Sequence, residues 1–210
     1  MVRKQAQHDT DTDTATRVLD SAERLVQTRG FNGFSYADVA AELGITKASL
    51  HYHFAGKAEL GRALIERYAA RFAAALDEID ANGGDAPAML SAYARIYADV
   101  VRDERMCLCG MLAADYDTLP QPMREAVIRF FDANESWLTG VFERGRAEGS
   151  VLLDGSSGEA AQALVGGLEG VMLIARPYGD AKRFEAAAIR LIASLTGASP
   201  RQRAPTPGRP

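Results

Sequence analysis

Between Leu43 and Ala58 the chain has no acidic side chain, yet it holds Lys47, Lys57, His51 and His53 among the hydroxyls of Thr46, Ser49 and Tyr52. Residues of these types suit a polyanion: cations neutralise phosphates, while hydroxyls and imidazoles reach phosphate oxygens or the edges of bases. Thr46, Lys47, Ser49 and His51 have the donors for base edges or phosphates, and Tyr52, His53 and Lys57 for the phosphate backbone. A shared metal is not expected, because histidines at i,i+2 on a helix point to diverging sides.

Such a face must be presented by short, well-terminated elements. Ser35 and Asp38 have the capping-box spacing that starts a helix, and Gly44 supplies the left-handed conformation that stops it near Leu43. Thr46 then caps a second short helix over about Lys47 to Phe54, and the pair forms a helix-turn-helix. Val39, Ala40, Leu43, Ile45 and Leu50 face inward and lock the two helices together, with small Ala40 permitting close approach. In such a unit the start of the second helix enters the major groove of double-stranded DNA.

The run from Val18 to Ala22, then Gly30-Phe31, Phe34 to Ala40, Gly44 to Phe54 and Lys57 to Leu60 resembles the N-terminal DNA-binding domain of the tetracycline-repressor (TetR) family, over about residues 14–74. The resemblance implies an all-α homodimer. In it a small N-terminal domain binds DNA, and a larger C-terminal domain binds a small molecule and its twin. It also implies that Thr46, Lys47, Ser49, His51, Tyr52, His53 and Lys57 face DNA, with Tyr36 near a phosphate. His51 departs from the pattern, since the family more often has tyrosine there. Residues 14–60 balance five cations against five carboxylates, so one domain alone binds weakly and a dimer is needed to raise the effective concentration of the second. Arg3 and Lys4 on an N-terminal arm are candidates for additional contacts.

Beyond residue 74 the apolar residues keep a helical period, with breaks at Asn82-Gly83-Gly84, Pro120–Pro122, Gly149–Gly158 and Pro177–Gly179. The expected organisation is an arm at 1–13 without apolar periodicity, a helix-turn-helix domain at 14–74, an effector-binding and dimerisation domain at 75–198, and a disordered tail at 199–210. Tyr93, Tyr97, Met111, Trp137 and Met172 are the expected effector-lining residues, since adaptable Met and aromatic side chains suit an apolar or aromatic small molecule. Each has the alternative of ordinary core packing. Helices over about 157–175 and 181–195 are expected at the dimer surface, where Gly166 and Gly170 allow close backbone approach. Cys107 and Cys109 open a redox or electrophile-sensing alternative, but at i,i+2 they point apart and only Arg102 and Arg105 are near enough in sequence to lower a thiol pKa. Packing is their default role.

The 210 residues are 47% hydrophobic and 25% charged, with net charge -4, which excludes a disordered chain or a polycation that coats nucleic acid. Residues 1–75 hold 10 Lys and Arg against 9 Asp and Glu, so the acidic excess lies in the remainder. No apolar run reaches membrane-spanning length, no secretory signal is seen, and the chain reads as cytoplasmic. There is no P-loop, nucleophile elbow, HExxH or dinucleotide fingerprint, and His8, His51 and His53 are the only histidines. An enzyme, a cofactor and a metal are therefore not expected. A helical enzyme or a pure protein-interaction module is the rival class, and neither needs the acid-free face.

Overall fold

The computed structural model describes residues 2–197, with side chains from Asp13 onward. All its regular elements are helical, with no strand among the described residues: α1 (Val2–Arg29), α2 (Tyr36–Leu43), α3 (Lys47–His53), α4 (Lys57–Asn82), α5 (Ala86–Arg102), α6 (Leu108–Ala114), α7 (Gln121–Glu148), α8 (Ser157–Ala175) and α9 (Ala181–Thr196), with 3-10 turns at Tyr116–Thr118 and Arg176–Tyr178. No helix among the described residues is long and apolar enough to cross a membrane.

The local stops and starts follow from side-chain chemistry. At the start of α2 the Asp38 carboxylate accepts from the Ser35 amide and hydroxyl, 2.6 Å each, and those bonds hold its pKa below the usual value. Gly44 at φ 65° ends α2. Thr46 caps α3 by accepting from the Ser49 amide at 3.1 Å, and α3 closes at Phe54, where the sequence placed its end to within a residue. Asp85, the Ser156–Glu159 pair and Asp180 cap α5, α8 and α9 in the same way. The sequence reading expects residues 1–13 to be an arm, whereas α1 reaches back to Val2. No Gly or Pro occurs between Val2 and Arg29 to stop a helix propagating from the anchored part at Val18 onward. The side chains of Arg3 and Lys4 and the expected tail at 199–210 lie outside the described residues.

One continuous core runs through the molecule. Val18, Ala22, Leu25 and Val26 of α1 pack with Val39, Leu50, Leu60 and Leu64, and the long α4 carries the same core on through Tyr68, Phe72 and Leu76 to α5, α7 and α8. The ends of the core are joined by polar bonds. Buried Glu23 on α1 pairs with Arg67 and Arg71 on α4, and Arg67 also reaches Asp20 at 2.9 Å. Asp115, after α6, accepts from the Phe31 amide at 2.8 Å and the Asn32 amide at 3.4 Å, while the Asn32 side chain donates to Thr118 at 2.8 Å. The Met106 amide donates to the Gln27 carbonyl at 3.2 Å. The N-terminal helices are thus bonded to the C-terminal body through the α6 region as well as through α4.

Candidate nucleic-acid interface

α3 is held from behind by Leu50, its only buried residue. That leaves Thr46, Lys47, Ala48, His51 and Tyr52 exposed, with Ser49 and His53 half-buried. Tyr52 is 74% exposed, far beyond what an aromatic ring needs for packing, and its ring meets that of His53 edge-on at 5.1 Å. Thr46 does double duty: its hydroxyl oxygen is occupied by the cap, and its O–H remains to donate outward.

The remaining residues form the support behind α3. The Tyr36 hydroxyl donates to the Phe54 carbonyl at 3.1 Å, and burial, with Glu59 nearby, pushes its pKa up to about 12. Its ring lies 4.8 Å from that of His51. His51 Nδ1 is 3.1 Å from the Ala55 carbonyl, an arrangement that requires Nδ1 to carry a proton and leaves Nε2 facing outward. Ser35, Tyr36, Lys47, His51 and Lys57 line a shallow groove of about 420 Å³ where α2 and α3 meet.

Lys57 differs from its expected role. Its ammonium donates to the carbonyls of Phe31 and Phe34 and sits 4.6 and 4.3 Å from the centroids of their rings. Burial pulls its pKa down, against the opposing pull of Asp115 and Asp38. The loop before α2 leaves carbonyls with no helical partner, and Lys57 satisfies two of them, so only one of its three donors is left for anything else. Other cations of this region are also committed: Arg24 to Glu42, Arg62 to Glu66, and Arg67 and Arg71 to Glu23. Lys47, Arg17 and Arg29 have no carboxylate at ion-pair distance among the described residues, and Lys47 alone of them lies on α3.

Of the five expected effector-lining residues, Tyr93, Tyr97 and Trp137 come together, whereas Met111 and Met172 make their contacts elsewhere. Tyr93 and Tyr97 are buried, their hydroxyls 3.2 Å apart, and Trp137 stacks on Tyr93 at 5.8 Å while its indole N–H donates to Asp80 at 2.8 Å. Met172 instead accepts from the Cys107 amide at 3.1 Å, and Met111 lies near Gly30 and Arg176 at the junction with α1. The separation has a plain cause: helical period marks which side of a helix is inward but not which depth of the core it faces. Sequence reasoning missed the rest of the buried polar set. Asn134 accepts from Tyr93 at 3.0 Å, and the Tyr68 hydroxyl reaches Cys107 at 3.7 Å. Glu169 has a buried Oε1 without a hydrogen-bond partner, and burial pushes its pKa up to about 7. As the only charged residue between Glu159 and Arg176 it was visible in the sequence. Burial, then the Glu169 carboxylate, drives both thiols well above their usual range, the opposite of a reactive thiolate. No group of His, Cys, Asp or Glu among the described residues is placed to hold a metal.

Comparison with known proteins agrees with this architecture. Residues 18–64 match the tetR family of bacterial regulatory proteins, and residues 86–191 match the tetracyclin repressor-like C-terminal domain. A TetR-family transcriptional regulator from Agrobacterium tumefaciens is 32% identical, with a TM-score of 0.85 over 89% of this chain and 99% of that one. One from Legionella pneumophila is 31% identical, with a TM-score of 0.75 over 85% and 95%. The transcriptional regulator AcuR of Cereibacter sphaeroides is 28% identical over 70% of this chain and 69% of its own.

Proposed function

We propose, from the premise that the chain belongs to the TetR family of bacterial regulatory proteins and is a DNA-binding transcriptional regulator, that it is a repressor. It binds a palindromic operator as a homodimer and releases it when a small apolar or aromatic effector binds the C-terminal domain. The observation that carries the reading is the exposed, acid-free face of α3 from Thr46 to Tyr52 on a rigid support. Thr46, Lys47, Ser49 and His51 read base edges or the nearest phosphates, and Tyr52 and His53 grip the backbone. Tyr36 lies beside the same groove and orients His51. Lys57 acts chiefly by fixing the loop that positions α2.

The dimer is assigned to the outer face of α8 and α9. A Cβ on Gly158, Gly166 or Gly170 would meet nothing within 4 Å, so this stripe is open in the single chain. Leu173 and Ile174, each at 58% exposure, follow it on α8 as uncovered apolar side chains. Closing two copies about a two-fold axis covers both patches with each other. The effector is assigned to the gap between α4 and α7, a cavity of about 150 Å³ lined by Phe130 and by Phe72 and Asn134; Phe72 in turn touches Tyr93 and Tyr97, and Asn134 touches Tyr93. An effector acts only through its unequal affinity for the DNA-competent and released states, a coupling of about 1–3 kcal/mol. Selection of bound duplexes from a random pool tests the reading. A palindromic consensus with half-sites one helical turn apart is expected, and an absence of enrichment at low salt overturns it.

A further inference from the structure

A second cleft lies apart from the buried aromatic network, between the turn that follows α5 and the turn that joins α8 to α9. Its volume is about 530 Å³, within the range of small-molecule sites. Its apolar floor is formed by Met106, Met172 and Ala175, all buried. Its rim carries Arg102, Arg105 and Arg176 together with Glu104 and Asp180.

These charges are unequally committed. Arg102 pairs with Asp99 and Glu185. Asp180 accepts from the Lys182 and Arg183 amides and so is absorbed by the start of α9. Arg105 pairs with Asp103 and reaches the Gln27 side-chain oxygen at 3.4 Å. Arg176 has only neutral acceptors: the Thr28 carbonyl and, at 3.8 Å, the Met111 sulfur, with no carboxylate at ion-pair distance among the described residues. A carboxylate offers such a guanidinium an opposite charge and two parallel acceptors, which a single carbonyl does not. With Arg102 and Arg105 already paired to carboxylates, Arg176 is the one rim guanidinium without such a partner among the described residues, which suits a single negative charge better than a polyanion, and the floor suits an apolar body.

We propose that this cleft binds a small organic monoanion, an aromatic or aliphatic carboxylate, with the carboxylate on Arg176 and Arg105 and the hydrocarbon on Met106 and Met172. Both arginines now hold the last turn of α1, at Thr28 and Gln27. A ligand that draws them inward loosens α1 from the C-terminal body and lowers DNA affinity. That regulatory consequence rests on the proposed DNA-binding function; occupancy of the cleft does not.

Calorimetric titration of the full chain without DNA, at matched ionic strength, separates the two. Sodium benzoate and sodium hexanoate are the anionic probes and benzamide the uncharged control. At least one carboxylate is expected to bind saturably at one per protomer, about tenfold or more tighter than benzamide, and Arg176→Gln is expected to weaken it by a similar factor. Because Arg176 is exposed, its replacement leaves the fold intact, which circular dichroism verifies; Arg105→Gln is the second variant, expected to weaken binding in the same direction. Saturable binding of neither carboxylate, equal binding of benzamide, or wild-type affinity in both variants overturns the site. Binding of a carboxylate that leaves affinity for the selected operator unchanged upholds the site and overturns its link to α1.

Discussion

Replacing Lys57 by methionine separates two roles for one cation. Methionine keeps a flexible apolar chain over Phe31 and Phe34 but removes the donors to their carbonyls. Each lost bond involves a charged donor, for which about 1.5–3 kcal/mol applies when the site is dry. Here the ammonium is only part-buried and water can reach the carbonyls, so about 2 kcal/mol for the pair is the reasonable figure. In a chain of this size that lowers the thermal midpoint by about 4–8 °C. Operator affinity should fall too, because the start of α2 is less firmly held, but the slope of log affinity against log salt should not change. A lysine bound to phosphate behaves otherwise. Its loss from both protomers would reduce the slope by about 1.8, roughly 0.9 for each contact, with little effect on stability. Thermal unfolding by circular dichroism, together with operator titrations across a salt series, measures both quantities. An unchanged midpoint with a slope shallower by about two would refute the assignment of Lys57 as a strut.

Tyr52→Ala should cost operator affinity about tenfold or more per dimer and leave the thermal midpoint within a degree or two, because the ring supports no core; equal affinity in a filter-binding titration counts against the interface. Gly170→Leu should weaken self-association in sedimentation velocity, and an unaltered dimer at low micromolar concentration contradicts the assigned surface. Glu169 is held near pH 7 against a usual value of 4.5, so the folded state retains a proton the unfolded state has released. Its penalty is absent below about pH 4.5 and grows as pH rises through 7. Glu169→Gln should therefore raise the midpoint at pH 8 more than at pH 5, and equal shifts at both would disprove it. For Cys107 and Cys109, a raised thiol pKa predicts alkylation slower than a free model thiol at pH 7 in the native state, rising to the model rate only in denaturant.

Terminators and caps were the most legible part of the sequence. Ser35, Gly44 and Thr46 act within three or four residues of themselves, so their chemistry is complete in the local string, and α2 begins and ends, and α3 begins, where those residues place them. The outward face of α3 was legible for the same reason, since Leu50 alone must point in. What escaped was whatever depends on partners far along the chain. Lys57 looks free in the sequence because the carbonyls it holds, at Phe31 and Phe34, are main-chain groups that no residue type announces. Glu23 looks like an ordinary helix-surface acid until Arg67 and Arg71 are brought across from α4. Met111 and Met172 share a residue type and an inward phase with Tyr93, yet lie at other depths of the core.

The bonds from Asp115 and Thr118 to the stretch after α1 bear on how such regulators can be recombined. A reading head exchanged between two of these proteins by cutting within α4 would arrive without the carboxylate and hydroxyl that its Phe31, Asn32 and Gly30 region was shaped to meet. Gly30 itself, at φ 80° with space for a Cβ only 3.0 Å from the Asp115 oxygen, would be left as a fitted surface facing a stranger. Hybrids that carry residues 115–118 along with the head should transmit a signal, whereas those that leave them behind should bind DNA and ignore whatever the body senses.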